Sequence, residues 1–229
     1  MLHFMKRRIV DFLLDHGVAL RRVTLFERLL IREVRYHAPV TFVQIGANDG
    51  VSYDNLYWYV TQYGFGGIVV EPLCDMFERL KYNYRAFPNV KPERVAIHPT
   101  LDHVTLYRVN SRRHADHPDW AGIASLNPRW HEALGVCPED MCEEAVPATP
   151  LMPLLQRHGI ERLNLLQIDV EGFDEDILRM IDFSRVRPRL IKFEARRGEP
   201  SADITSLLSR NHYEVARDGP DFVAWTRES

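Results

Sequence analysis

Three apolar runs in this chain each stop at acidic residues, and two of them also stop at glycine. They are Thr41 to Ile45 before Gly46-Ala47-Asn48-Asp49-Gly50, Gly67 to Val70 before Glu71-Pro72, and Leu165 to Ile168 before Asp169-Val170-Glu171-Gly172. In an open α/β sheet, such a stop marks the carboxyl end of a strand, where ligands bind. Three such ends predict a crevice for a nucleotide-type cofactor.

The loop from Gly46 to Gly50 lies between the first predicted strand and the first predicted helix of the sheet. Glycine lets the backbone approach a ligand and adopt a positive φ. The N-terminus of the next helix offers N–H groups to a carboxylate or phosphate. The spacing is not G-x-G-x-x-G, so the dinucleotide fingerprint is absent. Taken alone, the loop also fits a tight turn that binds nothing.

Glu71 ends the second strand, roughly 20 residues after the glycine loop, where Rossmann-type domains place an acid that accepts both ribose hydroxyls. The alternative is a solvent-facing glutamate at a strand end. Pro72 fixes the turn that follows.

Three further acids follow the strands that come later in the chain. Asp169 directly follows its strand, beside the first strand in a doubly wound order, and is the preferred catalytic acid. Glu171 could instead complement the dipole of the following helix, as Asp174, Glu175 and Asp176 do in its first turn. Glu194, the second catalytic candidate, ends the strand Leu190 to Phe193, and its alternative is an ion pair with Arg196 or Arg197.

A divalent metal is an alternative that the residue types allow but the spacing does not favour. His114 and His117, with Asp116 and Asp119, lie in a loop without a helical register that would bring them together. Cys137 and Cys142 form C-x4-C without a second pair of thiols, which is poor zinc spacing. No metal ligand is assigned.

The elements that position these acids alternate between strand and helix from Pro39 onward. Further helices are predicted over residues 52–62, with Ser52 as cap, and over 75–86, 151–158, 173–181 and 201–209. Further strands are predicted over residues 94–97, 104–109 and 190–193, and a terminal hairpin over 212–216 and 222–226. This alternation predicts an α/β fold with a doubly wound, mostly parallel sheet and a C-terminal antiparallel hairpin.

Residues 1–38 are predicted to form an N-terminal helical extension, and residues 39–229 the main domain. The apolar spacing up to Arg35 favours a helix pair packed on the core over a membrane-surface role, since the polar face carries both signs of charge. A homodimer contact or a flap over the active site is a variant of that interpretation.

Residues 110–150 interrupt the alternation and show no sustained period, which in a compact domain is typical of a functional or disordered connection. We expect this segment to set the choice of substrate. Trp120 and Trp130 could stack on a sugar or aryl ring, or anchor the segment on the core.

Composition favours neither a nucleic-acid nor a membrane partner, although it leaves open a local basic patch, for which Arg112-Arg113 is the best candidate. The chain has 229 residues and a net charge of -3, which gives no broad electrostatic case for nucleic acid or an anionic membrane. No apolar run reaches the length of a membrane span or a signal-peptide core. Three cysteines cannot form a full disulfide framework, so the expected compartment is the cytoplasm.

The chain resembles the FkbM-type family of S-adenosylmethionine-dependent methyltransferases from about Thr41 to Thr226. The resemblance depends on an ordered set of motifs: IGANDG at 45–50, VVEP at 69–72, Val95-Ala96-Ile97, Ala124-Ser125-Leu126, LLQIDVEG at 165–172 and IKFE at 191–194.

This resemblance implies a class I methyltransferase fold, Rossmann-like, and O-methylation of a hydroxyl on a sugar, polysaccharide or natural product. It implies that Gly46, Asn48 and Gly50, with Asp49 and Gln44, hold the methionine end of the cofactor. It also implies that Glu71 and Pro72 meet the ribose, that Val95 and Ala96 form the adenine wall, and that Asp169 lies by the sulfonium. Many relatives have Asp in place of Gln44 and Lys in place of Gln167.

Two rival functions remain open at this point. A nicotinamide-dependent dehydrogenase would share the fold but lacks the three-glycine fingerprint here. A non-catalytic module that keeps the cofactor pocket is the other, although acids at all three strand ends favour a working site.

Overall fold

The computed structural model describes residues 23–52, 56–117, 120–195 and 198–226. The first of the two predicted N-terminal helices therefore falls outside the described residues. No helix in these ranges is both long enough and apolar enough to cross a membrane.

A seven-stranded sheet forms the centre of the molecule, in the order β3-β2-β1-β8-β9-β11-β10. Its strands are β1 (Thr41–Ile45), β2 (Gly66–Val70), β3 (Val90–Glu93), β8 (Leu165–Ile168), β9 (Leu190–Glu194), β10 (Tyr213–Asp218) and β11 (Asp221–Thr226). The first five of these are parallel, and β11 runs antiparallel to both β9 and β10. The predicted doubly wound sheet with a terminal hairpin is confirmed.

Helices cover both faces of this sheet, which explains why β1 and β8 are almost fully buried. On one face lie α1 (Leu25–His37), α2 (Leu56–Tyr63) and α3 (Cys74–Tyr84). On the other face lie α4 (Leu151–Arg157), α5 (Asp174–Arg179) and α6 (Ala202–Arg210). Alternate residues of each strand enter the two apolar cores, so Phe42 packs on the first face and Val43 on the second.

The start of α1 is fixed to the terminal hairpin. Thr24 and Glu27 form a capping box, in which each side chain accepts the backbone N–H of the other residue. The carboxylate of Asp218 accepts the N–H groups of Leu25 and Phe26 at 3.0 and 2.8 Å. This helix end is therefore held at the carboxyl edge of the sheet, close to the predicted crevice.

A second sheet of four strands, in the order β4-β7-β5-β6, lies beside the first. Its strands are β4 (Ala96–Ile97), β5 (His103–Val109), β6 (Ala124–Ser125) and β7 (Met141–Thr149). Buried Arg108 of β5 pairs bidentately with Asp75 of α3 at 2.8 and 2.9 Å, and with Glu144 of β7 at 2.9 Å. These ion pairs fasten the second sheet to the main domain.

Two predictions about these elements are wrong. The third strand of the main sheet is residues 90–93 rather than 94–97, and residues 96–97 pair with β7 instead. β3 was missed because it is a short edge strand with charged residues and Pro92, which the edge of a sheet tolerates. The segment 110–150 is not irregular throughout, since it contains the whole of β6 and β7. The residues that Ser52 would cap lie outside the described ranges.

Candidate active site

A cavity of about 300 Å³ opens where β1 and β8 end side by side. The N–H of Asp169 donates to the carbonyl of Ile45 at 2.9 Å, and the N–H groups of Gly46 and Ala47 donate to the carbonyl of Val70. These bonds hold the three loops after β1, β2 and β8 around one space. The position is the switch point of a doubly wound sheet, where ligands bind.

Two glycines of the first loop are required by their neighbours. Gly46 has a φ of +79°, and a Cβ there would collide with the carbonyl oxygen of Asp169. Gly50 has a φ of +77°, and a Cβ there would lie 2.6 Å from Leu80 of α3. Gly46 therefore lines the cavity, whereas Gly50 lets the loop pack closely on α3 and lines neither this cavity nor the one beside it.

Glu71 lies in the cavity wall with 3% of its surface exposed. Its Oε2 accepts the N–H of Asn48 at 2.9 Å, and its Oε1 accepts the N–H of Leu73 at 2.8 Å. Burial raises the pKa of Glu71 to about 7, although these two bonds oppose the shift. Each oxygen keeps a further lone pair, so the carboxylate can accept two more hydroxyl donors.

The turn after β8 brings Asp169 and Glu171 to the same cavity. Glu171 and Gly172 both have a positive φ, of +54° and +95°. Burial, together with the charge of Asp169, raises the pKa of Glu171 to about 7, while its hydrogen bond from Trp130 opposes this. Glu171 precedes α5 and its N-cap Phe173, so it belongs to the cavity wall rather than to the helix dipole.

Asp174 joins the ends of β8 and β9 from beneath the site. Its carboxylate accepts the N–H of Val170 at 3.3 Å and that of Glu194 at 3.0 Å. Burial is the main cause that raises the pKa of Asp174 to about 7. From its residue type and position, the sequence predicted only an interaction with the helix dipole. Its hydrogen bond to β9 could be recognised only from the structure.

Glu194 does not line the cavity that holds Asp169 and Glu71. Burial and then the charges of Asp169 and Asp221 raise the pKa of its carboxyl group. Glu194 therefore interacts electrostatically with Asp169 although it does not line the cavity. Its predicted partners, Arg196 and Arg197, lie outside the described residues.

The segment 121–130 roofs the cavity. Gly122, Ile123, Ala124 and Leu126 line it, and a Cβ on Gly122 would collide with the side chain of Asn48. Ser125 Oγ donates to the carbonyl of Glu171 at 2.7 Å.

Trp130 fastens the end of this roof. Its Nε1 donates to the carboxylate of Glu171 at 2.7 Å, and its ring packs so closely on Gly172 that a Cβ there would lie 2.5 Å from it. In the structure, Trp130 therefore anchors the segment 121–130 on the turn after β8, which is one of the two roles expected for it.

An apolar wall completes the cavity. Val95 and Ala96, the predicted adenine wall, line it together with Pro72, Ile97, Leu106 and Phe173. The last three were not predicted as part of this wall, and the fold brings Leu106 to it from β5 and Phe173 from the N-cap of α5.

A second cavity, also of about 300 Å³, adjoins the first through Gly46, Asn48 and Asp169. It is more polar than the first cavity and lies between the sheet, the start of α1 and the turn 218–221. Gln44 and Gln167, partners in the β1–β8 register, line it with Lys192, whose Nζ lies 2.8 Å from the carboxylate of Asp221. Asp169 is therefore the one acidic side chain among the described residues that lines both cavities.

Other predicted residues lie elsewhere. The carboxylate of Asp49 accepts the N–H groups of Val51 and Ser52 and the hydroxyl of Ser52, so it stabilises its own loop and lines neither cavity. His117 stacks on Trp120 with ring centroids 3.8 Å apart, and His114 contacts the carbonyl of Val109. Asp119 is outside the described residues, and no three potential ligand side chains within them form a metal site.

The charge of the first cavity selects the kind of ligand. Among the described residues that line it, Glu71, Asp169 and Glu171 are acidic and none is basic. Nearby Arg108 is held by Asp75 and Glu144. Such a cavity fits a ligand that combines a cationic centre, a diol and a flat apolar group, and it disfavours a diphosphate.

Residues 44–215 match the family model described as the methyltransferase FkbM domain. No curated protein matches the sequence. One similar solved structure is the methyltransferase FkbM from Methylobacillus flagellatus KT, with 13% identity over 81% of this chain and 43% of that chain and a TM-score of 0.48. Another is the ribosomal protein L11 methylase from Lactobacillus delbrueckii subsp. bulgaricus, with 11% identity over 89% and 79% and a TM-score of 0.45. A third is the N-terminal domain of human METTL16, with 12% identity over 92% and 73% and a TM-score of 0.47.

Proposed function

Because the chain belongs to the FkbM family of methyltransferase domains, we propose that it transfers a methyl group from S-adenosylmethionine to a hydroxyl of a sugar, polysaccharide or natural product. The observation that carries this proposal is the acidic cavity at the ends of β1, β2 and β8. S-adenosylmethionine supplies an electrophilic methyl group on a positively charged sulfur.

The residues of the first cavity suit the parts of this cofactor. The two free lone pairs of Glu71 would accept the ribose hydroxyls, with Pro72 shaping the turn beside them. Val95 and Ala96 would pack on the adenine ring. In this proposal Gly46, Asn48 and Gly50 hold the methionine end, Asp49 stabilises their loop, and Gln44 faces the ammonium group from the second cavity.

The charge distribution supports this cofactor over a nicotinamide dinucleotide. A diphosphate in the first cavity would meet Glu71, Asp169 and Glu171, with no lysine or arginine among the described lining residues. Asp169, together with the ionised fractions of Glu71 and Glu171, would repel the diphosphate. The missing G-x-G-x-x-G loop points the same way.

We propose that Asp169 accepts the proton of the acceptor hydroxyl or orients that hydroxyl. An alcohol is a weak nucleophile, so a base beside the acceptor oxygen assists the in-line displacement. Asp169 lines both cavities and so can meet cofactor and acceptor together. Glu194, whose carboxyl group senses the charge of Asp169 but lies outside the cavity, is the second choice.

The acceptor would enter the second cavity, which no described residue of the segment 110–150 lines, so this proposal departs from the expectation that this segment sets the choice of substrate. Its amide side chains, Gln44 and Gln167, donate and accept hydrogen bonds, as recognition of uncharged hydroxyl groups requires. The one lysine of its described lining, Lys192, is paired with Asp221, so an anionic acceptor is not favoured. Neither a nucleic-acid partner nor a resident metal is part of this proposal. We place the reaction in the cytoplasm, where the three cysteines would stay reduced.

The test is transfer of a labelled methyl group to a carbohydrate-rich extract, followed by identification of the product. Asp169→Asn should lower turnover by about a hundredfold or more while S-adenosylhomocysteine still binds. The control is Glu78→Gln, an exposed carboxyl of α3 that should leave turnover unchanged. Unchanged turnover in Asp169→Asn would remove the catalytic assignment.

A non-catalytic cofactor-binding module remains the second candidate. It would bind S-adenosylhomocysteine with the same dependence on Glu71 but would label nothing in any extract offered. Labelled product from the wild-type protein eliminates this candidate.

A further inference from the structure

A third cavity, of about 720 Å³, lies at the opposite edge of the sheet from the acidic site. It is formed by the residues that lead into β1, β8 and β9, and by the last residue of α1. Strands of four or five residues separate it from the catalytic edge by about 15 Å. A ligand bound here would not touch the methyl-transfer site.

Basic side chains from three separate segments converge on this cavity. They are His37 at the end of α1, Arg162 before β8, and Arg185, Arg187 and Arg189 before β9. Glu161 is the one acidic residue among the described residues that line it. This concentration of positive charge contrasts with the net charge of -3 of the whole chain.

Internal contacts neutralise part of this charge only. Arg189 is paired with Glu33 at 2.9 Å, and its Nη2 lies 2.7 Å from Nε2 of His37. Arg187 donates to the carbonyl of Asn211, an uncharged acceptor.

Two exposed arginines keep their full donor capacity. Within the described ranges, the guanidinium groups of Arg162 and Arg185 make no hydrogen bond or ion pair, although the charge of Arg185 helps to lower the pKa of Asp182. Both groups are therefore available to a ligand.

We propose that this cavity binds a phosphate or diphosphate group, carried by a soluble phosphate ester or by a lipid headgroup. Guanidinium groups present paired donors that match phosphate oxygens, and several of them around a concave site surround a tetrahedral anion better than a flat carboxylate. The cavity is large enough to hold a diphosphate and part of the group attached to it. The site tethers the enzyme to a phosphorylated molecule while the opposite edge performs the reaction.

The test is calorimetric titration of the full chain with inorganic pyrophosphate, at two salt concentrations. The double variant Arg162→Gln/Arg185→Gln should weaken binding by about tenfold or more, because two charge-assisted contacts are lost. The matched control is Arg28→Gln/Arg210→Gln, which removes the same charge from exposed helix positions outside the cavity. It should change binding by less than about twofold, since distant exposed charges are screened.

Three results would overturn the proposal: no heat of binding at millimolar pyrophosphate, equal weakening in the control, or displacement of pyrophosphate by S-adenosylhomocysteine. The double variant should retain full methyl transfer, so failure of this site and failure of the proposed activity are distinguishable. Co-sedimentation with phosphatidylglycerol vesicles, reversed by pyrophosphate, would identify a headgroup as the source. Binding of pyrophosphate without co-sedimentation would identify a soluble ester.

Discussion

At the scale of residues, the candidate site consists of acids whose environments differ. Asp169 is exposed to both cavities, whereas Glu71, Glu171 and Asp174 are largely withdrawn from water. Burial raises the pKa of each of these three groups to about 7, and the charge of Asp169 adds to the shift for Glu171 and Asp174. A cationic or hydroxyl-rich ligand would favour their ionised forms.

Glu71→Gln tests the ribose assignment. An amide offers one carbonyl oxygen in place of two carboxylate oxygens, and its NH₂ group would face the N–H of Asn48 or Leu73. We expect affinity for S-adenosylhomocysteine to fall by about tenfold to a hundredfold, measured by calorimetry. Glu93→Gln, at the end of the neighbouring strand and outside the cavity, should leave the affinity unchanged. Equal losses in both variants would contradict the assignment.

The sequence predicted the residues around the cavity better than it predicted their contacts. Glu71 and Asp169 follow long apolar runs, so their place at strand ends could be predicted. Asp174 looks the same in sequence as any acid in a first helical turn, and its tie to Glu194 depends on the β8–β9 pairing. The role of Trp130 depends on a contact with Glu171, 41 residues away in the chain.

At the scale of elements, the roof segment 121–130 closes the cavity through two close contacts with glycine. Gly122 packs on Asn48, and Gly172 accepts the ring of Trp130. Both contacts join residues that are far apart in the chain and leave no periodic pattern in the sequence. This explains why the sequence predicted an irregular connection. The two glycines were the available sign that other groups come close.

Gly172→Ala should open the roof. Its φ of +95° makes a side chain costly, and the added Cβ would lie 2.5 Å from the Trp130 ring. Gly135→Ala is the matched control, because its φ of +74° carries similar backbone strain but no atom lies within 4 Å of the added Cβ. We expect faster proteolysis between residues 120 and 140 and weaker S-adenosylhomocysteine binding in Gly172→Ala only. Equal effects would assign the loss to backbone strain alone.

The elements that sequence analysis placed wrongly share a physical cause. β3 and β7 carry charged residues that are paired in the fold: Glu93 with Arg157 and His158, and Glu144 with Arg108. Such pairs let a strand form without the apolar alternation by which strands are recognised. The central strands β1, β2 and β8 coincide with mostly apolar runs and were predicted from those runs.

At the scale of the whole molecule, charge is divided between the two edges of the sheet. The carboxyl edge carries the acids of the candidate active site, and the amino edge carries the arginines of the third cavity. A net charge of -3 conceals this division, because composition does not record position. The resemblance to the FkbM family therefore described the acidic edge and gave no indication of the basic one.

The acidic edge should make the unliganded protein less stable at pH 8 than at pH 6. The folded protein holds protons on Glu71, Glu171 and Asp174 up to a pKa of about 7, well above their ordinary values. The folded state therefore binds more protons than the unfolded state in this range, and stability falls as pH rises, by about 1 kcal/mol or more. Urea unfolding at the two pH values measures the difference.

A matched variant isolates the contribution of these acids. Burial lowers the pKa of His131, which acts in the opposite direction below about pH 6.5. Glu171→Gln removes one of the three acids and leaves His131 in place, so its loss of stability between pH 6 and pH 8 should be smaller. A wild-type protein that is more stable at pH 8 would contradict the account.

The most direct measurement is calorimetric titration of the wild-type protein with S-adenosylhomocysteine and, separately, with NAD. Micromolar binding of S-adenosylhomocysteine at one site per chain, with no binding of NAD, is the expected result, since the acidic cavity accepts the diol and the apolar ring but repels a diphosphate. Binding of NAD in preference to S-adenosylhomocysteine, or binding of neither, would contradict the central claim that this crevice holds a methyl-donor cofactor.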